Sequence, residues 1–378
     1  MGVVAGGTRV VVAMSGGVDS SVAAALLARE GYEVVGVTLQ LRSCDDQVTT
    51  RSCCAADGIV QARSVAGALG VPHYVLDCRK EFAELVLRRA WNEYSRGRTP
   101  SPCLLCNREI KFGLLRSYAS QIGALFVATG HYARAVDEGQ GPVLKRAVDR
   151  RKDQSYFRSM LDPEQLRHIL LPVGTLTKEA VRAIARDLRL STAERGESQD
   201  ACLVSEGLGL AETLRRLFGA PSCPGPVVGT RGEVLGRHNG IHQFTIGQRR
   251  GLGVALGSPA FVTAIYADTA TVVVSTNAQD LYSDGLVAQE THWLDTPHSR
   301  CLAQIRSTHE AASARLEIGD RGEALLWFDR PQKAVTPGQA VAFFDGDQVL
   351  GGGWIERPLR RGTDSPGNSE EPAHGNHS

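Results

Sequence analysis

Lysine is scarce in this chain of 378 residues: 36 of its 42 cationic side chains are arginine and only 6 are lysine. Net charge is +1, so no bulk basic field marks a nucleic-acid binder, and codon composition explains most of the arginine bias. No apolar run approaches twenty residues, which excludes an apolar membrane-spanning helix. Residues 1–8 lack the basic-then-apolar layout of a secretory leader, so a cytoplasmic protein is expected. Internal repeats are absent, and no Gly-Lys-Ser/Thr string ends a Walker-A loop. Cysteine is not scarce. Nine of them in a chain expected to stay reduced argue for reactive or metal-binding thiols over a disulfide framework.

The length suggests two or three domains, and the N-terminal part holds the most specific string. Val10, Val11 and Val12, followed by Ala13 and Met14, predict a buried strand, and residues 22–29 predict a helix. Between them stand Ser15, Gly16, Gly17, Val18, Asp19, Ser20 and Ser21. Loop N–H groups and a helix N-terminus there would face an anion, which makes the string a phosphate cradle. The bland alternative is a glycine-rich turn with a Ser/Asp cap.

Further strands are expected at 34–39, 73–76 and 125–128, with helices at 57–69, 81–94 and 108–121. A later helix at 176–188 has Thr177 as its N-cap and Glu179 in its first turn. This rhythm predicts an α/β fold, a parallel sheet with helices on both faces. The loop, Leu39 and Thr129-Gly130-His131 all fall at carboxyl ends of strands, where one ATP pocket can gather them. From about Pro221 the texture turns to short β pieces (227–228, 261–266, 271–275, 301–305, 323–328, 340–344), which predict a small β-rich central domain and then a β-barrel or sandwich.

Cys103 and Cys106 form a C-x-x-C in a segment opened by Pro100 and Pro102, expected as a loop between two helices. Arg108 and Lys111 follow, and cations near a helix start favour thiolate. The residues leave three readings: a reactive thiol, half a metal site completed by Cys53 and Cys54, or an inert pair. Cys202, alone in a polar loop, matters only if the fold brings it to that pair. Tyr132, His131 and Tyr156 can stack on or edge-contact a planar ligand or read as partly buried rings, the preferred reading for Tyr156. Arg249-Arg250 can meet phosphate or equally form a solvated turn.

Seven strings in order carry a resemblance: M-S-G-G-V-D-S-S from Met14, T-P-S-P-C-L-L-C-N-R-E-I-K-F from Thr99, A-T-G-H-Y-A-R from Ala128, K-D-Q-S-Y-F from Lys152, T-I-G-Q-R-R-G-L-G from Thr245, T-P-G-Q from Thr336 and L-G-G-G from Leu350. Over roughly residues 9–357 the chain resembles the tRNA-specific 2-thiouridylases, PP-loop ATP pyrophosphatases that thiolate the wobble uridine. The resemblance implies an adenine-nucleotide hydrolase-like sheet. It implies domains at 1–206 (catalytic), 207–280 (central) and 281–357 (barrel), with a disordered tail at 358–378. By the same resemblance Ala13, Met14, Ser15, Gly16, Gly17, Val18, Asp19, Ser20, Leu39 and Gly130 contact ATP, with Mg2+. Cys106 is the nucleophile, and Cys202 bears the persulfide and pairs with Cys106 in a disulfide.

Ser101, Pro102, Cys103, His131, Lys152, Asp153, Gln154, Arg306, Ser307 and Gln339 are the implied tRNA contacts. Ser307 stands where relatives often carry an aromatic, which removes a stacking ring. Many relatives have Asp where this chain has Cys103; a third thiol admits a [4Fe-4S] cluster on Cys103, Cys106 and Cys202. The implied partners are tRNAs of the Lys, Glu and Gln type and a sulfur donor, either a cysteine desulfurase or a relay protein. Two other readings fit the loop. An amide-forming PP-loop ligase would leave the cysteines unexplained, and a nonenzymatic tRNA or iron–sulfur module would not need an intact loop.

Overall fold

The computed structural model describes residues 7–42, 56–139, 141–196, 208–255 and 257–362. Apolar, β-branched runs form β1 (Arg9–Ala13), β2 (Glu33–Gln40), β3 (His73–Asp77) and β4 (Phe126–Thr129). A hairpin, β5 (Ala133–Asp137) and β6 (Pro142–Arg146), and the short β7 (Ile169–Leu170) follow. The first sheet has the order β3-β2-β1-β4-β7, with every pair parallel. Central β1 is buried on both sides, and its residues alternate between two cores. Val10 and Val12 pack with α1 (Val18–Arg29), α2 (Ala56–Leu69) and the helix Lys178–Asp187. Val11 packs on the other face with Ile110, Phe112 and Leu115.

Two helix starts differ from the sequence expectation. α1 begins at Val18, inside the glycine string, with Gly17 as its N-cap. The C-x-x-C is helical and not the expected loop: Pro102–Leu105 leads into a π-helical stretch, Cys106–Leu114, and then Leu115–Gln121. Proline is the physical reason. It has no N–H to satisfy and a φ preset for a first turn, so the helix starts at Pro102. Thr177 caps its helix as expected, its hydroxyl accepting from the Ala180 N–H at 3.2 Å.

A second sheet holds β8 (Gly225–Val228), β9 (Val234–His238), β10 (Phe261–Tyr266) and β11 (Thr271–Ser275), in the order β10-β11-β8-β9. Its core is small, built on Val227, Phe244, Val262 and Val272. The C-terminal strands are β12 (Tyr282–Trp293), β13 (Arg300–Gln304), β14 (Ala312–Ile318), β15 (Ala324–Lys333), β16 (Ala340–Asp345) and β17 (Gln348–Leu359). They run β12-β15-β14-β13-β16-β17, and β12 pairs back with β17, which closes a barrel. The hairpin β5–β6 joins this barrel, Lys145 pairing with Gln348. No helix among the described residues is long and apolar enough to cross a membrane.

Two glycines make the packing testable. A Cβ on Gly174 would sit 1.8 Å from the Ala133 carbonyl oxygen, whereas one on Gly67, inside α2, meets nothing within 4 Å. Gly174→Ala is expected to destabilise the fold by about 1–3 kcal/mol, as overpacking does. Gly67→Ala is expected to stabilise it by roughly 0.4–1 kcal/mol. Thermal or urea unfolding of both variants reads the opposite signs.

Candidate active site

The phosphate loop is built by a close fit. Gly16 has φ +75°, and a Cβ there would lie 2.3 Å from the Gly58 carbonyl oxygen of α2, so only glycine fits. Ser20 and Ser21 donate from their hydroxyls to the Gly17 carbonyl at 3.1 and 2.9 Å. No side chain caps α1, so no cap takes the N–H groups of its first turn, the geometry that receives phosphate. These glycines and amides fit ATP phosphates. Met14 anchors the loop to β2 through its N–H to the Val37 carbonyl, 2.8 Å, and Leu39 is buried at the end of that strand.

Asp19 turns away from the loop. Lys178 Nζ lies 2.7 and 2.8 Å from its two carboxylate oxygens, and the Tyr132 hydroxyl donates to one of them at 2.8 Å. Lys178 is buried and Asp19 only partly so, so the pair fixes the start of α1 at the cost of some desolvation. One local signal pointed to Lys178: a lysine in a helix's first turn opposes the helix dipole and needs another reason to be there. Arg195, on the chain leading toward Cys202, reaches the Gly16 carbonyl at 3.3 Å and Asp57 at 2.6 Å.

Gly130 joins the loop to the thiols. A Cβ on it would sit 2.4 Å from Ser20 N, so the end of β4 rests directly on α1. The next residue, His131, packs its ring 6.3 Å from Phe112, on the helix that carries Cys106. Thr129 Oγ1 holds His131 Nδ1 at 2.8 Å. Burial, then Arg158 and Lys111, push the His131 pKa well below its ordinary value. Arg158 is itself buried, its Nε without a partner and one guanidinium nitrogen donating to the Gln154 carbonyl at 2.7 Å. Burial opposes its charge and pulls it down to about 9, while Asp153, Cys103 and Cys106 act the other way. Cys106 is buried, Cys103 half-buried, and Cys78 lies behind them with its thiol raised to about 11, chiefly by burial.

The remaining candidates fall in three places. Asp153 is turned inward, bonded to Arg146 at 2.9 Å and to the Ser155 hydroxyl at 2.8 Å. Gln154 Oε1 accepts the Tyr132 N–H at 3.0 Å, and Lys152 is half-buried beside them. Arg306 donates to the Lys333 carbonyl at 3.2 Å at the end of β13, next to exposed Ser307. Gln339 reaches back to Thr99 and Pro100, just before Ser101 and Pro102. Arg249 and Arg250 are exposed, and Tyr132 and Tyr156 are buried. Cys202, Cys53 and Cys54 lie outside the described residues, and so do the disulfide and cluster expectations that need Cys202. Among the described residues no group of three or more His, Cys, Asp or Glu could hold a metal ion.

Three family models match in chain order: a tRNA methyl transferase HUP domain over residues 8–206, a tRNA methyl transferase PRC-barrel domain over 212–276 and an aminomethyltransferase beta-barrel domain over 283–355. The tRNA-specific 2-thiouridylase MnmA of Carboxydothermus hydrogenoformans is 45% identical over 365 residues, covering 94% of this chain and 100% of the relative. The chain belongs to the tRNA-specific 2-thiouridylase family. A 2-thiouridylase of Geotalea uraniireducens is 44% identical, over 94% of this chain and 96% of its own. A solved 4-thiouridine synthetase–RNA complex with bound ATP has 16% identity and a TM-score of 0.34, covering 56% of this chain and 50% of that one. That likeness is too distant to bear on the chemistry. Membership in the 2-thiouridylase family makes the chain a sulfurtransferase-class enzyme, and its PP-loop implies ATP.

Two outcomes follow from this geometry. Lys178→Met leaves Asp19 with Tyr132 alone and is expected to cost about 2–3 kcal/mol, less than a fully buried pair because Asp19 keeps some solvent; chemical denaturation measures it. Unfolded His131 takes a proton near 6.5, the folded one only at lower pH. Below pH 6.5 the unfolded chain therefore binds more protons and stability falls as pH falls. His131→Gln is expected to flatten the stability profile between pH 7 and 5, measured by urea titration at each pH.

Proposed function

We propose that this protein catalyses ATP-dependent 2-thiolation of the wobble uridine, position 34, of tRNA. What supports the reading most is the single step of chain from phosphate loop to thiols: Gly130 rests on Ser20, and His131 packs on the Cys106 helix. The C2 carbonyl of uridine is urea-like and its oxygen leaves poorly. Its attack on the α-phosphorus of ATP releases pyrophosphate and puts AMP on that oxygen, which gives the base a leaving group. The first-turn amides of α1 and the 15–17 loop hold the phosphates and stabilise the charge that develops there. Mg2+, when bound, neutralises pyrophosphate charge. Both Asp19 oxygens are engaged by Lys178 and one of them also by Tyr132, so Asp19 serves to orient the loop.

Sulfur then replaces AMP. A donor protein, a cysteine desulfurase or a relay protein, places a terminal sulfur on Cys202 as a persulfide. The Cys106 thiolate attacks the inner sulfur, a Cys106–Cys202 disulfide forms, and hydrosulfide leaves. Hydrosulfide adds at C2 and AMP departs, giving 2-thiouridine. An external thiol reduces the disulfide before the next turnover. Buried Arg158, which interacts with Cys103 and Cys106, favours sulfur in its anionic form. The base leaves the anticodon stack to reach this site, which costs a few kcal/mol. Arg306 and the 152–154 loop are proposed to meet tRNAs of the Lys, Glu and Gln type. The domain limits proposed are 1–206, 207–280 and 281–357.

A pyrophosphate-release assay with unmodified tRNA and a sulfide source tests the proposal. Release that depends on tRNA and yields 2-thiouridine is expected. No release with tRNA sinks it, and AMP formation without tRNA points to a small-molecule ligase.

A further inference from the structure

The segment just before the thiol helix is poor in its own hydrogen bonds. Thr99 and Ser101 each precede a proline, which keeps them out of the helical region, and Pro100 and Pro102 have no N–H. The carbonyls of Thr99 and Pro100 need donors from elsewhere in the chain. They find both on one atom: Gln339 Nε2 donates to Thr99 at 3.2 Å and to Pro100 at 3.1 Å. A carboxamide nitrogen has two hydrogens and suits this pair of acceptors.

The turn that presents Gln339 is itself fixed. Gly338 donates to the Ile355 carbonyl and Ile355 donates back to Gln339, both at 2.8 Å. Thr99 N–H donates to the Pro337 carbonyl at 2.9 Å. Gly338 has φ +86°, and a Cβ on it would lie 2.9 Å from the Thr99 oxygen, so the approach admits glycine alone. From the other side the Tyr156 hydroxyl donates to Ala340 O at 3.0 Å and lies against Ser101. Arg98 clamps the entry of the segment, reaching Glu356 at 2.8 Å and the Ile355 carbonyl at 3.2 Å.

We propose that Gln339 is a positioning residue: the barrel turn 336–340 sets the place of residues 99–101 and thereby of Cys103 and Cys106. This rests on the reading of Cys106 as the reacting thiol. This role stands beside the tRNA contact that the resemblance implies at Gln339: the amide nitrogen is engaged by protein, and the carboxamide oxygen can still accept from tRNA. The barrel is then part of the sulfur-transfer apparatus as well as a tRNA grip.

The test uses the full chain with Gln339→Leu and the near-isosteric Tyr156→Phe, assayed for thiolation of unmodified tRNA and for alkylation of Cys106 by iodoacetamide. With Gln339→Leu, kcat for thiolation is expected to fall about ten- to a hundredfold, the scale of a misplaced reacting group, by more than KM for tRNA rises. The Cys106 alkylation rate is expected to change in the same variant. Tyr156→Phe is expected to lower kcat by a smaller factor, again with KM held, and decides the matter if Gln339→Leu does not fold. A raised KM with kcat held makes Gln339 a tRNA contact alone and overturns the proposal, as does an unchanged kcat. Cys106→Ser that still thiolates tRNA defeats the underlying reading instead, whatever the Gln339 variant does.

Discussion

Gly130 has no side chain, and the missing atom lets β4 end directly against the N-terminus of α1. Any larger residue would push Ser20 and Asp19 away and open the phosphate loop. The same contact fixes where His131 and Tyr132 point, because they follow Gly130 directly in the short connection to β5. Tyr132 turns to Asp19 and steadies the loop from below. His131 turns to Phe112 and the thiol helix. One backbone contact thus places the proposed nucleotide loop beside the helix of the proposed reacting thiol, and helices pack on both faces of the sheet around it.

Charge is handled differently on the two sides of this contact. Asp19 and Lys178 neutralise each other, so the loop offers backbone dipoles to phosphate and no competing carboxylate. Around the thiols the balance is left positive. Arg158 sits buried with an unpartnered Nε, and Asp153, the carboxylate that acts on it, is already committed to Arg146, Ser155 and the Ala147 N–H. A buried cation without a carboxylate of its own is costly unless an anion visits. Anionic sulfur is a visitor of the right sign.

Local sequence was enough for some of this and not for the rest. The strand–glycine–helix string at 10–29 and the Thr177 cap were legible because backbone preference and packing agree there. Pro102 misled: read as a loop residue, it starts a helix. β12 and β17 escaped notice for another reason. Bulges near Ser283 and Val287 break the alternation of β12, and Gly351, Gly352 and Gly353 make β17 look like a turn. Those glycines are there because β17 runs between β12 and β16, where a Cβ on Gly351 would lie 2.2 Å from the His292 carbonyl. Arg158 lies far in sequence from Cys103 and Cys106, so no local pattern exposes it, and Lys178 shows only by its unfavourable place at a helix start.

Thr99 and Gln339 are 240 residues apart along the chain, yet they meet at the threshold of the thiol helix. A nascent chain folds its leading portion first, so the nucleotide loop can assemble while the barrel is still being made. The carbonyls of Thr99 and Pro100 stay unsupported until residue 339 has left the ribosome. Such a distant closure is slow to find, since its loop entropy must be met before the contact forms. Translation order therefore separates the two halves of the chemistry in time: a chain interrupted before the barrel closes has its phosphate loop and lacks a seated thiol.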